Sequence, residues 1–146
     1  MKAKAREDIR IGQLTVRYLL EGHESSGSMA MFEFEVGPGA KVPAAHSHDA
    51  YEETVYGLEG VLAFTVNGEK HELAPGDVLH VPRGVIHRFD NFSTGKTKTL
   101  AVITPGVLSP DYFREIAAVI KSAAGGPPDH AAIAAVMLRH GLTPAP

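Results

Sequence analysis

The stretch "AAHSHDAYEET" (44–54) sets two histidines, His46 and His48, shortly before two adjacent glutamates, Glu52 and Glu53. Imidazole nitrogen and carboxylate oxygen are common ligands of zinc and the first-row transition metals. On an extended segment, residues i and i+2 point to the same face, so His46 and His48 form a two-nitrogen clamp. An open metal site needs at least one more donor, and Glu52 or Glu53 can supply a carboxylate from the next strand. A further histidine, His87, follows the Pro82-Arg83-Gly84 turn on a later strand. In a closed barrel distant strands face one interior, so His87 can meet the first pair despite the residues between them.

Composition narrows the chemistry. A chain of 146 residues is large enough for one domain with a real core. Its 14 basic and 17 acidic residues give a net charge of −3, without the basic field that nucleic acid requires. No apolar run approaches the roughly 18 residues of a membrane span, and "MKAKAREDIR" lacks the apolar centre of a signal peptide, so a cytoplasmic protein with no membrane partner is expected. With no cysteine in the chain, any metal must be held by nitrogen and oxygen.

The elements that must position these residues are short strands. From about residue 11 to residue 104 apolar or alternating stretches are broken by turn residues, the pattern of an all-β sandwich or barrel. "SMAMFEFEV" (28–36) alternates Phe32, Phe34 and Val36 with Glu33 and Glu35, burying one face. Asn67-Gly68 lies between two β-prone runs and suits a type I′ hairpin turn, while Pro75-Gly76 suits the centre of a type II turn. After Gly106 the period changes. Ser109 caps a helix with Pro110 at its first position, and Tyr112, Phe113, Ile116, Val119 and Ile120 recur at helical spacing. A second short helix is expected from Asp129 as cap to Gly141 as stop. The expected division is therefore a barrel over 1–106 and a helical extension over 107–146 that packs on the barrel or on a dimer partner.

With these residues in hand, the chain resembles the cupins, in particular small single-domain cupins similar to quercetin dioxygenases. The second cupin motif, G-x5-P-x-G-x2-H-x3-N, is matched by Gly76, Pro82, Gly84, His87 and Asn91. The first, G-x5-H-x-H-x(3,4)-E-x6-G, is matched by His46, His48, Glu53 and Gly60, with Gly39 one residue further from His46 than the pattern states. The resemblance implies an antiparallel jelly-roll barrel holding one divalent metal (Fe, Mn, Ni, Cu or Zn) on His46, His48, Glu53 and His87. Spacing to Gly60 selects Glu53 as the ligand and sends Glu52 to the opposite face. Open positions on such a metal accept water, dioxygen or a chelating substrate. Glu53 is also the candidate catalytic proton acceptor.

Tyr51, Phe64, His80 and Phe89 are candidates for a substrate pocket, although an aromatic in a β-barrel is ordinarily core. His80 lies in a strand whose alternation does not tell its face. The expected activity is a metal-dependent, dioxygenase-like oxidoreduction of a small oxygen-rich or aromatic molecule. A Lewis-acid isomerase, lyase or epimerase uses the same ligands, and a non-catalytic ligand-binding module is the reading from a different class. Exposed sheet edges point to a homodimer.

Overall fold

The computed structural model describes residues 6–40 and 44–146. Its strands are β1 (Ile9–Ile11), β2 (Leu14–Leu20), β3 (Ala30–Val36), β4 (His46–His48), β5 (Glu52–Glu59), β6 (Leu62–Val66), β7 (Glu69–Leu73), β8 (Val78–Val81), β9 (His87–Asp90), β10 (Thr97–Thr104) and β11 (Leu142–Pro144). Two helices, α1 (Pro110–Ser122) and α2 (His130–Arg139), separate β10 from β11. The strands form two antiparallel sheets, one in the order β1-β2-β3-β10-β5-β8 and one in the order β11-β4-β9-β6-β7. This is the all-β jelly roll with short C-terminal helices that the sequence pattern predicts. Among the described residues no helix is long and apolar enough to cross a membrane.

The alternation seen in the sequence fixes which side of each strand is buried. Along β3, Ala30, Phe32, Phe34 and Val36 are buried while Met31, Glu33 and Glu35 are wetter. The Glu33 and Glu35 carboxylates pair on the outer face with Arg17, Lys96 and Lys98. Such exposed pairs add little stability singly, so the apolar interior carries the fold. Phe34 is its aromatic centre, 5.1 Å from Phe89 and 6.5 Å from Phe64 between ring centroids.

Turn chemistry sets the register. Asn67 and Gly68 both take positive φ, 51° and 80°, and place Val66 opposite Glu69 in the β6–β7 hairpin, as a type I′ turn demands. Gly57 answers a different need. A Cβ there would sit 2.2 Å from the Ala74 carbonyl oxygen, so only glycine lets the β7–β8 turn close against β5. Asn91 ties two segments together from a buried position. Its Nδ2 donates to the carbonyls of Val36 at 2.8 Å and Gly95 at 2.9 Å, and its Oδ1 accepts from Ser93 N–H at 2.9 Å.

Ser109 caps α1 by accepting from Asp111 N–H at 3.3 Å, and Asp129 caps α2 by accepting from Ala132 N–H at 3.0 Å. Tyr112 and Ile116 of α1 and Val136 and Met137 of α2 enter the core. The segment after residue 107 is more than helical, however. Gly141, at φ 82°, ends the helical stretch and turns the chain back, and β11 then adds itself to the edge of the five-stranded sheet. There Leu142 opposes His48, Thr143 opposes Ser47 and Pro144 opposes His46.

Candidate metal centre

His46 and His48 stand on β4 and His87 begins β9, and the two strands pair with His46 directly opposite His87. The pairing brings three imidazoles together, with one ring nitrogen of each within 4.8 Å of the others. Glu53 reaches them from the other sheet. It lies on β5 between Val81 of β8 and Ile103 of β10, and its Oε2 stands 3.4 Å from His87 Nε2 and 4.0 Å from His48 Nε2. The cluster thus bridges the two sheets of the barrel. Ligand atoms sharing one metal at about 2.0–2.1 Å stand roughly 3–4 Å apart, so the side chains lie close to the spacing that one metal ion needs.

Backbone carbonyls aim two of the rings. His46 Nδ1–H donates to the Ala44 carbonyl at 2.8 Å and His87 Nδ1–H to the Val85 carbonyl at 3.0 Å. A carbonyl only accepts, so each bond fixes the tautomer that leaves the Nε2 lone pair free, as an outer shell of hydrogen bonds does around metal-bound histidine. His87 Nε2 is buried without a hydrogen-bond partner, and so is His48 Nδ1. An orphaned buried nitrogen is costly unless something meets it, which is a second reason that the donor set fits a cation.

Burial pushes the His46 imidazole down to about 4, and pushes His48 down to about 3 against the opposing pull of Glu53. Both are therefore neutral and ready to ligate near pH 7. Burial also opposes charge on His87 and on Glu53, but their mutual attraction across 3.4 Å outweighs it, raising His87 and lowering Glu53. Of the three imidazoles, His87 is the one that holds a proton more tightly than a free imidazole does.

A pH dependence follows. Below the raised His87 value, uptake of one metal should release one proton and affinity should climb by up to tenfold per pH unit. Above that value both trends should flatten. Calorimetry of Zn(II) binding in buffers of different ionisation enthalpy over a pH series upward from 6.5 checks this, and proton release that never declines along the series would contradict it. The metal-free protein should also weaken as pH falls, at lower pH. His46 and His48 are depressed below their ordinary 6.5, so the stability they carry as neutral groups is present above 6.5 and lost as pH falls through about 4 and about 3.

The remaining candidates divide. Tyr51 is fully buried beside the cluster, its ring stacked on that of His48 with centroids 4.5 Å apart. Its hydroxyl has no hydrogen-bond partner, a burial that costs about 1–3 kcal/mol. Burial and then the Glu53 charge push the hydroxyls of Tyr51, Tyr18 and Tyr112 up, so all three stay protonated. Phe64 and Phe89 oppose each other across β6 and β9 and pack with Phe34 in the core.

His80 does not belong with the cluster. In β8 it alternates with the buried Val81 and takes the outer face, where its Nε2–H donates to Glu52 at 2.9 Å and its Nδ1 bonds the Thr54 hydroxyl at 2.8 Å. Arg83 completes that surface group, its Nε 3.5 Å from Glu52. Glu52 accordingly points away from Glu53, as expected. The carbonyls of Ala44 and Val85 escape a search by residue type, because backbone groups leave no mark in a sequence. The loop ahead of His46 includes residues 41–43, outside the described residues, so the extra residue after Gly39 has no structural account.

Comparison with known proteins agrees with fold and motif. The sequence matches the family described as Cupin domain over residues 32–103. Quercetin 2,3-dioxygenase of Bacillus subtilis strain 168 is 35% identical over 80 residues, which are 55% of this chain and 23% of that enzyme. This chain thus spans less than a quarter of that relative's length. A solved sugar phosphate isomerase of the cupin superfamily from Silicibacter pomeroyi superposes with a TM-score of 0.56 at 26% identity, over 64% of this chain and 60% of that one. A predicted oxalate decarboxylase from Thermotoga maritima gives a TM-score of 0.64 over 72% of this chain and 99% of its own, and at 23% identity it speaks for the fold alone. With its jelly-roll sheets, its paired histidine motifs and this match through the centre of the barrel, the chain carries a cupin domain over residues 32–103.

Proposed function

We propose that this cupin is a metal-dependent enzyme that oxidises a small oxygen-rich or aromatic molecule in the manner of a dioxygenase. The observation that carries the reading is the set of neutral or releasable nitrogens on His46, His48 and His87 facing the Glu53 carboxylate across the barrel. A bound divalent metal would supply open coordination positions and Lewis acidity there. The protein's own contribution is to hold the ligands at fixed angles through the Ala44 and Val85 carbonyls and to keep Glu53 ionised. An ionised, partly buried carboxylate beside the metal ligands is placed to accept a proton from a substrate hydroxyl. The similarity to quercetin 2,3-dioxygenase supports an oxygen-dependent reaction.

The test is a substrate screen on protein loaded in turn with Fe(II), Mn(II), Ni(II), Cu(II) and Zn(II), using flavonols and diketones. Turnover with stoichiometric dioxygen consumption is expected, and it should vanish under strict anaerobiosis. Turnover that survives without oxygen would replace this reading with Lewis-acid isomerisation, which the likeness to the sugar phosphate isomerase favours. A homodimer is part of the proposal. Val78, 64% exposed on the edge strand β8, and the neighbouring Tyr56 and Leu58 leave apolar surface on the outer face of that sheet. Sedimentation at micromolar concentration should give twice the chain mass, and a monomer would remove this part.

A further inference from the structure

One buried polar group takes no part in holding a metal or in the packing of the barrel: the Tyr51 hydroxyl. The ring has a plain structural purpose. It covers the imidazole of His48 at a 22° interplanar angle and lies under the bend at Gly141, where a Cβ would meet its edge at 3.7 Å. Phenylalanine would do both without burying an unpartnered oxygen. The hydroxyl therefore adds a penalty to the folded state that the fold does not recover from any protein group. Tyr51 also lies two residues before Glu53, just ahead of β5, and its buried hydroxyl feels the Glu53 charge.

We propose that the Tyr51 hydroxyl is a hydrogen-bond donor to an oxygen atom of the substrate, orienting it beside His48. The proposal rests on the metal-dependent reading above and narrows its substrate class. The favoured molecule presents an acceptor oxygen, such as a phenolate, enolate or carboxylate, next to the atoms that bind the metal. A site built to donate one hydrogen bond discriminates strongly against an analogue lacking the acceptor, because the donor is then left unpaired.

The experiment compares wild-type protein with Tyr51→Phe, both loaded with Zn(II), using acetohydroxamate as an oxygen-chelating probe followed by calorimetry. Tyr51→Phe should bind the probe about tenfold more weakly. Its Zn(II) stoichiometry should be unchanged, and its melting temperature equal to or above that of wild type. A merely structural tyrosine would not combine a retained melting temperature with weakened probe binding. In wild-type protein labelled with 3-fluorotyrosine, which has four tyrosines, the Tyr51 fluorine resonance should move when the probe is added. Equal probe affinity in the two zinc-loaded proteins, with no movement of that resonance, would overturn the role of Tyr51 and leave the metal reading standing. Failure of the wild type to retain Zn(II) after dialysis would overturn both.

Discussion

His87→Ala is expected to weaken Zn(II) binding by about two to three orders of magnitude while the metal-free protein still folds, with a modest loss of stability from leaving Glu53 without its imidazole neighbour. Structural zinc sites with four ligands gain about 10–16 kcal/mol, so each ligand carries roughly 2.5–4 kcal/mol, and every 1.4 kcal/mol is a factor of ten in affinity. The variant removes a ring whose Nε2 is orphaned in the buried interior, so the protein loses packing but also sheds a desolvation penalty. Competition against a chelator of known affinity gives the binding change, and a thermal melt in the same chelator gives the stability change. Affinity within tenfold of wild type would mean that the three imidazoles form a polar barrel mouth and no metal centre. A variant that fails to fold without metal would point to a structural ring and not to a ligand.

Phe64→Ala should be the most destabilising single change among the residues first considered as pocket lining. Phe64 is 1% exposed, opposite Phe89 on β9 and edge-on to Phe34 on the facing sheet. Truncating such a ring removes its transfer energy and opens a cavity, a loss of about 3–5 kcal/mol. In a domain of this size that corresponds to a fall in melting temperature of roughly 10–15 °C. A ring that lined an open pocket would cost much less, because water would occupy the space from the start. A fall of only a few degrees in a chelator-treated sample would therefore return Phe64 to the substrate pocket.

The barrel was readable because its strands carry the period-2 pattern in residues that cannot be placed otherwise. Phe32, Phe34 and Val36 alternate with two glutamates, and Asn67-Gly68 has the only turn geometry that joins its flanking runs tightly. His46 and His48 were readable for the same reason, since their i, i+2 spacing sets both on one face of a strand, whereas His87 was tied to them by the resemblance of Gly76, Pro82, Gly84, His87 and Asn91 to the second cupin motif. Other features leave weaker marks. Val78, Leu79, His80 and Val81 form an edge strand with apolar residues on both faces, so alternation could not orient His80 until Glu52 and Thr54 were seen beside it. Leu142, Thr143 and Pro144 are too few to show a period, and a proline is a poor strand signal. Their role depends on β4 lying next to them, and no local pattern encodes that. Tyr51 looked like any core aromatic, because the sequence cannot say which hydroxyl lacks a partner.

The pairing of β11 with β4 also bears on how the protein reaches its working form. The strand that carries His46 and His48 is held on one side by β9 and on the other by β11, and the Thr143 hydroxyl reaches Asp49 across a separation of 94 positions. Contacts so far apart along the chain form late and slowly, since a long loop must be closed before they give anything back. In this barrel the clamp of ligands is therefore expected to be among the last parts to be framed. Acquisition of metal becomes a signal that the whole chain has found its topology, and a time-resolved folding experiment with a metal-sensitive dye would read the final step of folding and not the first.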